Sequence, residues 1–88
     1  MSYNEKELDQ IFAKGKIAGC LNPKKYCKDI CGNPIYRYSY GKLSKMGWEV
    51  DHIHPISNGG SNNIRNLQPL HWFVNRSKGK TYPYSCRK

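Results

Sequence analysis

Residues 48–80, WEVDHIHPISNGGSNNIRNLQPLHWFVNRSKGK, decide how this chain folds. GWEVDHI (47–53) reads as a strand, ended by Pro55 and by the turn-forming run SNGGSNN. From about Gln68 to Ser77, QPLHWFVNRS reads as a helix, with Pro69 in its first turn and Gly79 just past its end. Just upstream, IYRYSYG (35–41) alternates Ile35, Arg37 and Ser39 with Tyr36, Tyr38 and Tyr40, which predicts another strand. Strand, strand, Gly-rich loop and helix make a ββα unit. The expected fold class is α+β.

The chain before that unit has its own signals. In NEKELDQIFAK (4–14) Asn4 stands where a helix cap belongs and Glu7 where a capping box places its acid. Leu8, Ile11 and Phe12 then form one apolar stripe, so a short helix is predicted. GCLNPKKYCKDICGNP (19–34), with Asn-Pro twice, reads as loop, and the tail KTYPYSCRK has no periodic pattern. We expect one domain: a helix and loop extension over 1–34, a ββα core over 35–80 and a basic tail over 81–88. Its core should be small, because only 38% of 88 residues are hydrophobic. No apolar run is long enough for a membrane span or a signal peptide, which predicts a soluble, intracellular protein.

Fifteen Lys and Arg against six Asp and Glu give a formal charge of +9. No acidic residue follows Asp51, whereas Arg65, Arg76, Lys78, Lys80, Arg87 and Lys88 do. Such a surface attracts polyanions by counterion release and long-range steering, so nucleic acid is the expected partner. The plainer reading of the charge is solubility alone. Cys20, Cys27, Cys31 and Cys86 would suit two disulfides in a secreted miniprotein; without a signal peptide, reduced thiols or a metal knuckle are the better expectation. Cys27-x3-Cys31 is wider than the usual zinc-knuckle spacing, which makes it a weak metal signal.

The stretch 48–80 resembles the HNH endonucleases, the ββα-metal nucleases. The resemblance rests on Asp51-His52-Ile53, Pro55, Gly59-Gly60, Asn66-Leu67-Gln68, Leu70, Asn75-Arg76 and Lys78, in that order and with fitting gaps. It implies a divalent-metal-dependent nuclease acting on DNA, with RNA open as a substrate. His52 would be the general base that activates water, and an imidazole titrating near neutrality suits that task. Asp51 and Asn75 would hold one cation. Asn66 would fix the backbone around His52. Relatives often carry His where Asn75 stands, so this is a His-Asn-Asn variant. An amide oxygen beside a carboxylate shifts the preferred metal towards Mg²⁺ or Mn²⁺.

Several residues keep two readings. Arg76, Lys78 and Arg65 are candidates for positioning phosphate, although cations at a helix C-terminus also oppose its dipole. Relatives often place cysteines where His71 and Val74 stand, so a structural zinc site here would need Cys27, Cys31, His71 and a further donor such as Cys86. That is the lesser expectation, and His71 with Trp72 is expected to pack the helix on the sheet. His54 reads first as a solvent-side bystander and second as an auxiliary group near the phosphate, and the resemblance gives Glu49, on the face of Asp51, no metal role. Tyr36, Tyr38 and Tyr40 read first as a half-buried strand face and second as a base-stacking surface. The competing functions are a non-catalytic nucleic-acid-binding module and a small zinc-ribbon interaction protein. The expectation is weak sequence preference from this chain alone, or a protein partner or dimer that supplies specificity.

Overall fold

The computed structural model describes residues 2–86; the basic end of the expected tail, Arg87 and Lys88, lies outside the described residues. Helix α1 (Glu5–Phe12) starts as its sequence predicts. Asn4 Oδ1 accepts from Glu7 N at 2.8 Å, and Glu7 Oε1 accepts from Asn4 N at 3.0 Å. Two N–H groups that the first turn leaves without partners are thereby satisfied. Leu8, Ile11 and Phe12 are buried.

Two antiparallel hairpins follow. Strand β1 (Tyr26–Lys28) pairs with β2 (Pro34–Tyr36), and β3 (Trp48–His52) pairs with β4 (Leu67–His71), which runs directly into helix α2 (Trp72–Lys78). The α+β class holds, and the ββα unit is β3–β4–α2. Three local expectations are corrected. The stretch from Gln68 to His71 is strand, because Gln68 and Pro69 lie opposite Asp51 and Val50. Pro69 is tolerated there because a two-stranded sheet leaves one side of each strand without a ladder to interrupt. The strand expected over 35–41 stops at Tyr36 and becomes a 3₁₀ turn over Arg37–Ser39. Arg37 is drawn inward there: its Nε donates to Asp9 at 2.7 Å and its Nη2 to Glu5 O at 3.1 Å. Finally, the expected loop 19–34 contains β1.

One core joins the extension to the ββα unit. Leu8, Ile11 and Phe12 of α1 pack with Cys27, Ile35, Trp48 and Leu67. Trp48 is fully buried, with Phe12 and Tyr40 rings 5.3 and 5.0 Å from its own and its indole N–H donating to Arg37 O at 3.2 Å. Burying an aromatic of this size against α1 supplies much of the hydrophobic stabilisation a small domain can gather. The extension therefore completes the core that β3 needs.

Polar ties close the structure. The Asp29 carboxylate, fully buried, accepts from Cys31 N, Asn33 N and Asn33 Nδ2 in the β1–β2 turn and from His71 N at the start of α2. Reduced thiols or a metal knuckle were expected, but Cys31 and Cys86 form a disulfide with Cα atoms 5.4 Å apart. The tail doubles back to this turn and brings together two cysteines separated by 55 positions. Among the described residues, no helix is long and apolar enough to cross a membrane.

Candidate active site

Strand alternation sets the chemistry of β3. Glu49 and Asp51 lie on the face covered by α2, whereas Trp48 and Val50 join the core. Cross-strand register then brings Gln68 beside Asp51. Asp51 is buried and both its oxygens have partners: Lys78 Nζ donates to Oδ1 at 3.0 Å and Gln68 Nε2 to Oδ2 at 2.8 Å. Lys78 also donates to the His52 carbonyl at 3.1 Å. Expected as a phosphate contact, Lys78 is instead buried, its side chain only 3% exposed. Its physical task is to compensate the Asp51 charge and hold the backbone of β3.

His52, Asp51 and Asn75 line one shallow depression at the end of β3, rimmed by Pro55 and Ser57. His52 Nε2 lies 2.7 Å from Asn62 Oδ1. Asn62 Oδ1 can accept a hydrogen from Nε2, and in that tautomer Nδ1 carries the lone pair. Asn75 donates from Nδ2 to Glu49 Oε1 at 2.9 Å, which leaves its Oδ1 as the available donor to a cation. Burial alone would raise the Glu49 carboxyl, but the hydrogen bonds from Arg76 and Asn75 and the Arg76 charge outweigh it. Glu49 is therefore held below the usual carboxylate range.

Asn66 organises the loop between β3 and β4. Its Oδ1 accepts from His54 N at 2.8 Å, and its Nδ2 donates to His54 O at 2.9 Å and Ser61 O at 2.7 Å. The grip falls two residues beyond His52, at His54. Gly60 fits beneath the same carbonyl, since a Cβ there would stand 1.8 Å from His54 O. Gly59 turns the chain with φ 95°, in the left-handed region that glycine adopts without strain. His54 is occupied locally: Nε2 bonds Asn58 O at 2.8 Å and the ring stacks on Tyr82 at 4.3 Å.

The remaining sequence candidates separate. Arg76 is exposed but pairs with Glu49 at 3.1 Å, its guanidinium over Trp72. Arg65 stands exposed on the turn before β4. Cys27, Cys31 and His71 are not brought together as a metal set. Cys27 Sγ points to Phe12 O, Cys31 is in the disulfide, and His71 caps α2 by accepting from Phe73 N at 3.2 Å while its Nε2 bonds Lys45 O. Among the described residues no cluster of three or more His, Cys, Asp or Glu is placed to hold a metal.

Sequence reading missed Asn62, Gln68 and Lys14. Gln68 becomes visible once β4 is set in register with β3. Lys14 Nζ donates to Ile64 O and, at 2.8 Å, to Leu67 O, on either side of Asn66. Nothing local in the sequence signals that contact. Burial lowers the Lys14 ammonium below the ordinary lysine range.

A family model described as HNH endonuclease matches residues 27–81, more than half of the chain. No curated protein and no solved structure matches it.

Proposed function

The chain belongs to the HNH endonuclease family, a family of nucleases, and from that premise we propose that it hydrolyses phosphodiester bonds in DNA with one divalent cation. The observation that carries this reading is the meeting of Asp51, His52 and Asn75 around one depression, beside a loop gripped by Asn66. His52 Nδ1 takes the proton of a water molecule as its oxygen bonds to phosphorus. The bond to the 3′ oxygen breaks with its electron pair passing to that oxygen, which takes a proton from solvent water, leaving 5′-phosphate and 3′-hydroxyl ends. Asn62 orients the imidazole, and Asn66 positions the backbone that presents it.

HNH domains generally use a divalent metal, and the donor set here suits a hard cation. Asp51 supplies a carboxylate with one lone pair left on each oxygen, and Asn75 supplies Oδ1. Oxygen donors in so small a number match Mg²⁺ or Mn²⁺, which retain most of their waters. The cation, when bound, neutralises the phosphate and stabilises the departing 3′ oxygen. Lys78 beside Asp51 weakens cation binding by repulsion, so weak rather than tight affinity is expected.

The net charge of +9 supports DNA as the partner. Nicking of supercoiled plasmid by the purified chain with Mg²⁺ or Mn²⁺, abolished by a chelator, is the expected result. Absence of cleavage across a panel of divalent metals and DNA forms would overturn the reading. One observation favours a second reading, a non-catalytic nucleic-acid-binding module: both Asp51 oxygens already have protein partners. Calorimetry separates the two, since that module would bind DNA but no divalent cation.

A further inference from the structure

We propose that a groove between the N-terminal extension and the β3–β4 loop binds the phosphodiester backbone of nucleic acid on its way to the site. The proposal rests on the nuclease reading for the identity of the polyanion. Its charge comes from three separate parts of the chain: Lys16 after α1, Lys28 on β1 and Arg65 on the turn before β4. All three are exposed, and among the described residues none of their side chains has a hydrogen bond or ion pair and no carboxylate lines the groove.

The placement of Lys16 and Lys28 is the telling feature. Each backbone N–H donates to the other's carbonyl at 2.8 Å, so the two residues stand directly opposite one another in an antiparallel pair. Directly opposite side chains share a face, and like charges there repel. The protein carries three acids on α1, yet Asp9 and Glu5 are spent on Arg37 and neither relieves this pair. A like-charge pair kept without a counter-ion, with a third cation facing the same groove, is what an anionic ligand would neutralise.

The groove and the site meet in the chain at consecutive residues, Ile53 lining one and His52 the other. Ile53, next to His52, stands on its rim at 39% exposure, and Ile30 stands there at 55%. Both offer apolar contact to sugar. Lys14, which also lines the groove, is turned inward onto Ile64 O and Leu67 O and fixes the Arg65 turn against the extension. A strand held here would lead past Ile53 to His52. The extension thus contributes binding surface from outside most of the family match, since Lys14 and Lys16 precede residue 27.

The test is equilibrium binding of the full chain to a labelled duplex, in chelator, across roughly 50–200 mM salt. Three proteins are compared: wild type, Lys16→Gln/Lys28→Gln/Arg65→Gln, and a control with Lys6→Gln/Lys24→Gln/Lys42→Gln, which removes the same charge from other exposed positions. Each neutralised phosphate contributes about 0.9 to the slope of log affinity against log salt, so the groove variant should lose about two to three. The control should lose less than about one. Lys28→Gln alone should melt no lower than wild type while binding DNA more weakly, because it removes the repulsion together with the contact.

Equal slope changes in both triple variants, an unchanged slope, or no DNA binding by wild type would overturn the proposal. So would a groove variant that loses affinity only for a polyglutamate competitor, which would assign the groove to an acidic protein. Binding is read without metal and without cleavage. An inactive protein that binds through the groove would sink the nuclease reading alone, and an active nuclease with an unchanged slope would sink the groove alone.

Discussion

Replacing Lys78 by Met tests how the Asp51 carboxylate is held. The substitution keeps most of the side-chain stem and deletes the ammonium that stands 3.0 Å from Asp51 Oδ1. The two side chains are only 3% and 5% exposed, so solvent cannot take over the lost charge. Gln68 remains as the one partner of the carboxylate, and the His52 carbonyl loses its bond to Nζ. Removing one member of a buried pair costs about 3–5 kcal/mol. A domain of this length has roughly 4–13 kcal/mol in total, at about 0.05–0.15 per residue. Lys78→Met should therefore lower the melting temperature by more than about 10 °C, taking about 4–8 °C per kcal/mol.

The assay is urea unfolding followed by tryptophan fluorescence, to which the fully buried Trp48 contributes together with Trp72. Asp51→Asn/Lys78→Met should recover most of the loss, because neither charge is then left alone in the interior. A penalty for Lys78→Met below about 1 kcal/mol, the value of an exposed pair, would refute the reasoning and return Lys78 to the surface as a phosphate contact.

Three further outcomes follow from the loop and the thiols. Asn66→Ala removes bonds to His54 N, His54 O and Ser61 O; it should cost about 1–3 kcal/mol and slow single-turnover cleavage far more than it weakens DNA binding, and an equal loss in both would contradict the positioning role. Gly60→Ala would drive a Cβ to 1.8 Å from His54 O, so a clear drop in melting temperature and in cleavage is expected, and an unchanged melt would contradict the close approach. Burial, reinforced by the Asp29 charge, pushes the Cys27 thiol up to about 12, whereas Cys20 is exposed. Thiol titration near pH 8 should therefore find one fast group, with Cys27 reacting only on unfolding; a second fast thiol would show that Cys27 is reachable.

The residues legible in the sequence were those whose partners lie nearby. Asn4 and Glu7 cap α1 within one turn, and Gly79 ends α2 where its position predicts. β3 was legible because Pro55 and Gly59-Gly60 stop it. β4 was not: Pro69 carries the signature of a first helical turn, and only pairing with Val50 across the loop makes it strand. Arg37 looked like one beat of a strand until α1 supplied Asp9 and Glu5. Asp51, His52, Asn66 and Asn75 were singled out through the resemblance of their stretch to the HNH endonucleases, and the fold brings Asp51, His52 and Asn75 around one depression. Their local partners were not legible. Lys78, Gln68, Asn62 and Lys14 act through contacts made by the folded chain, and no periodicity encodes those contacts.

Cleavage by a His52→Ala variant most directly tests the central claim, that this chain cuts DNA with His52 activating water. Wild type and variant, matched by unfolding curves to show an intact fold, are incubated with supercoiled plasmid and Mg²⁺ or Mn²⁺. The account predicts nicked product bearing 5′-phosphate and 3′-hydroxyl ends from wild type and none above background from His52→Ala. Undiminished nicking by the folded variant would contradict it.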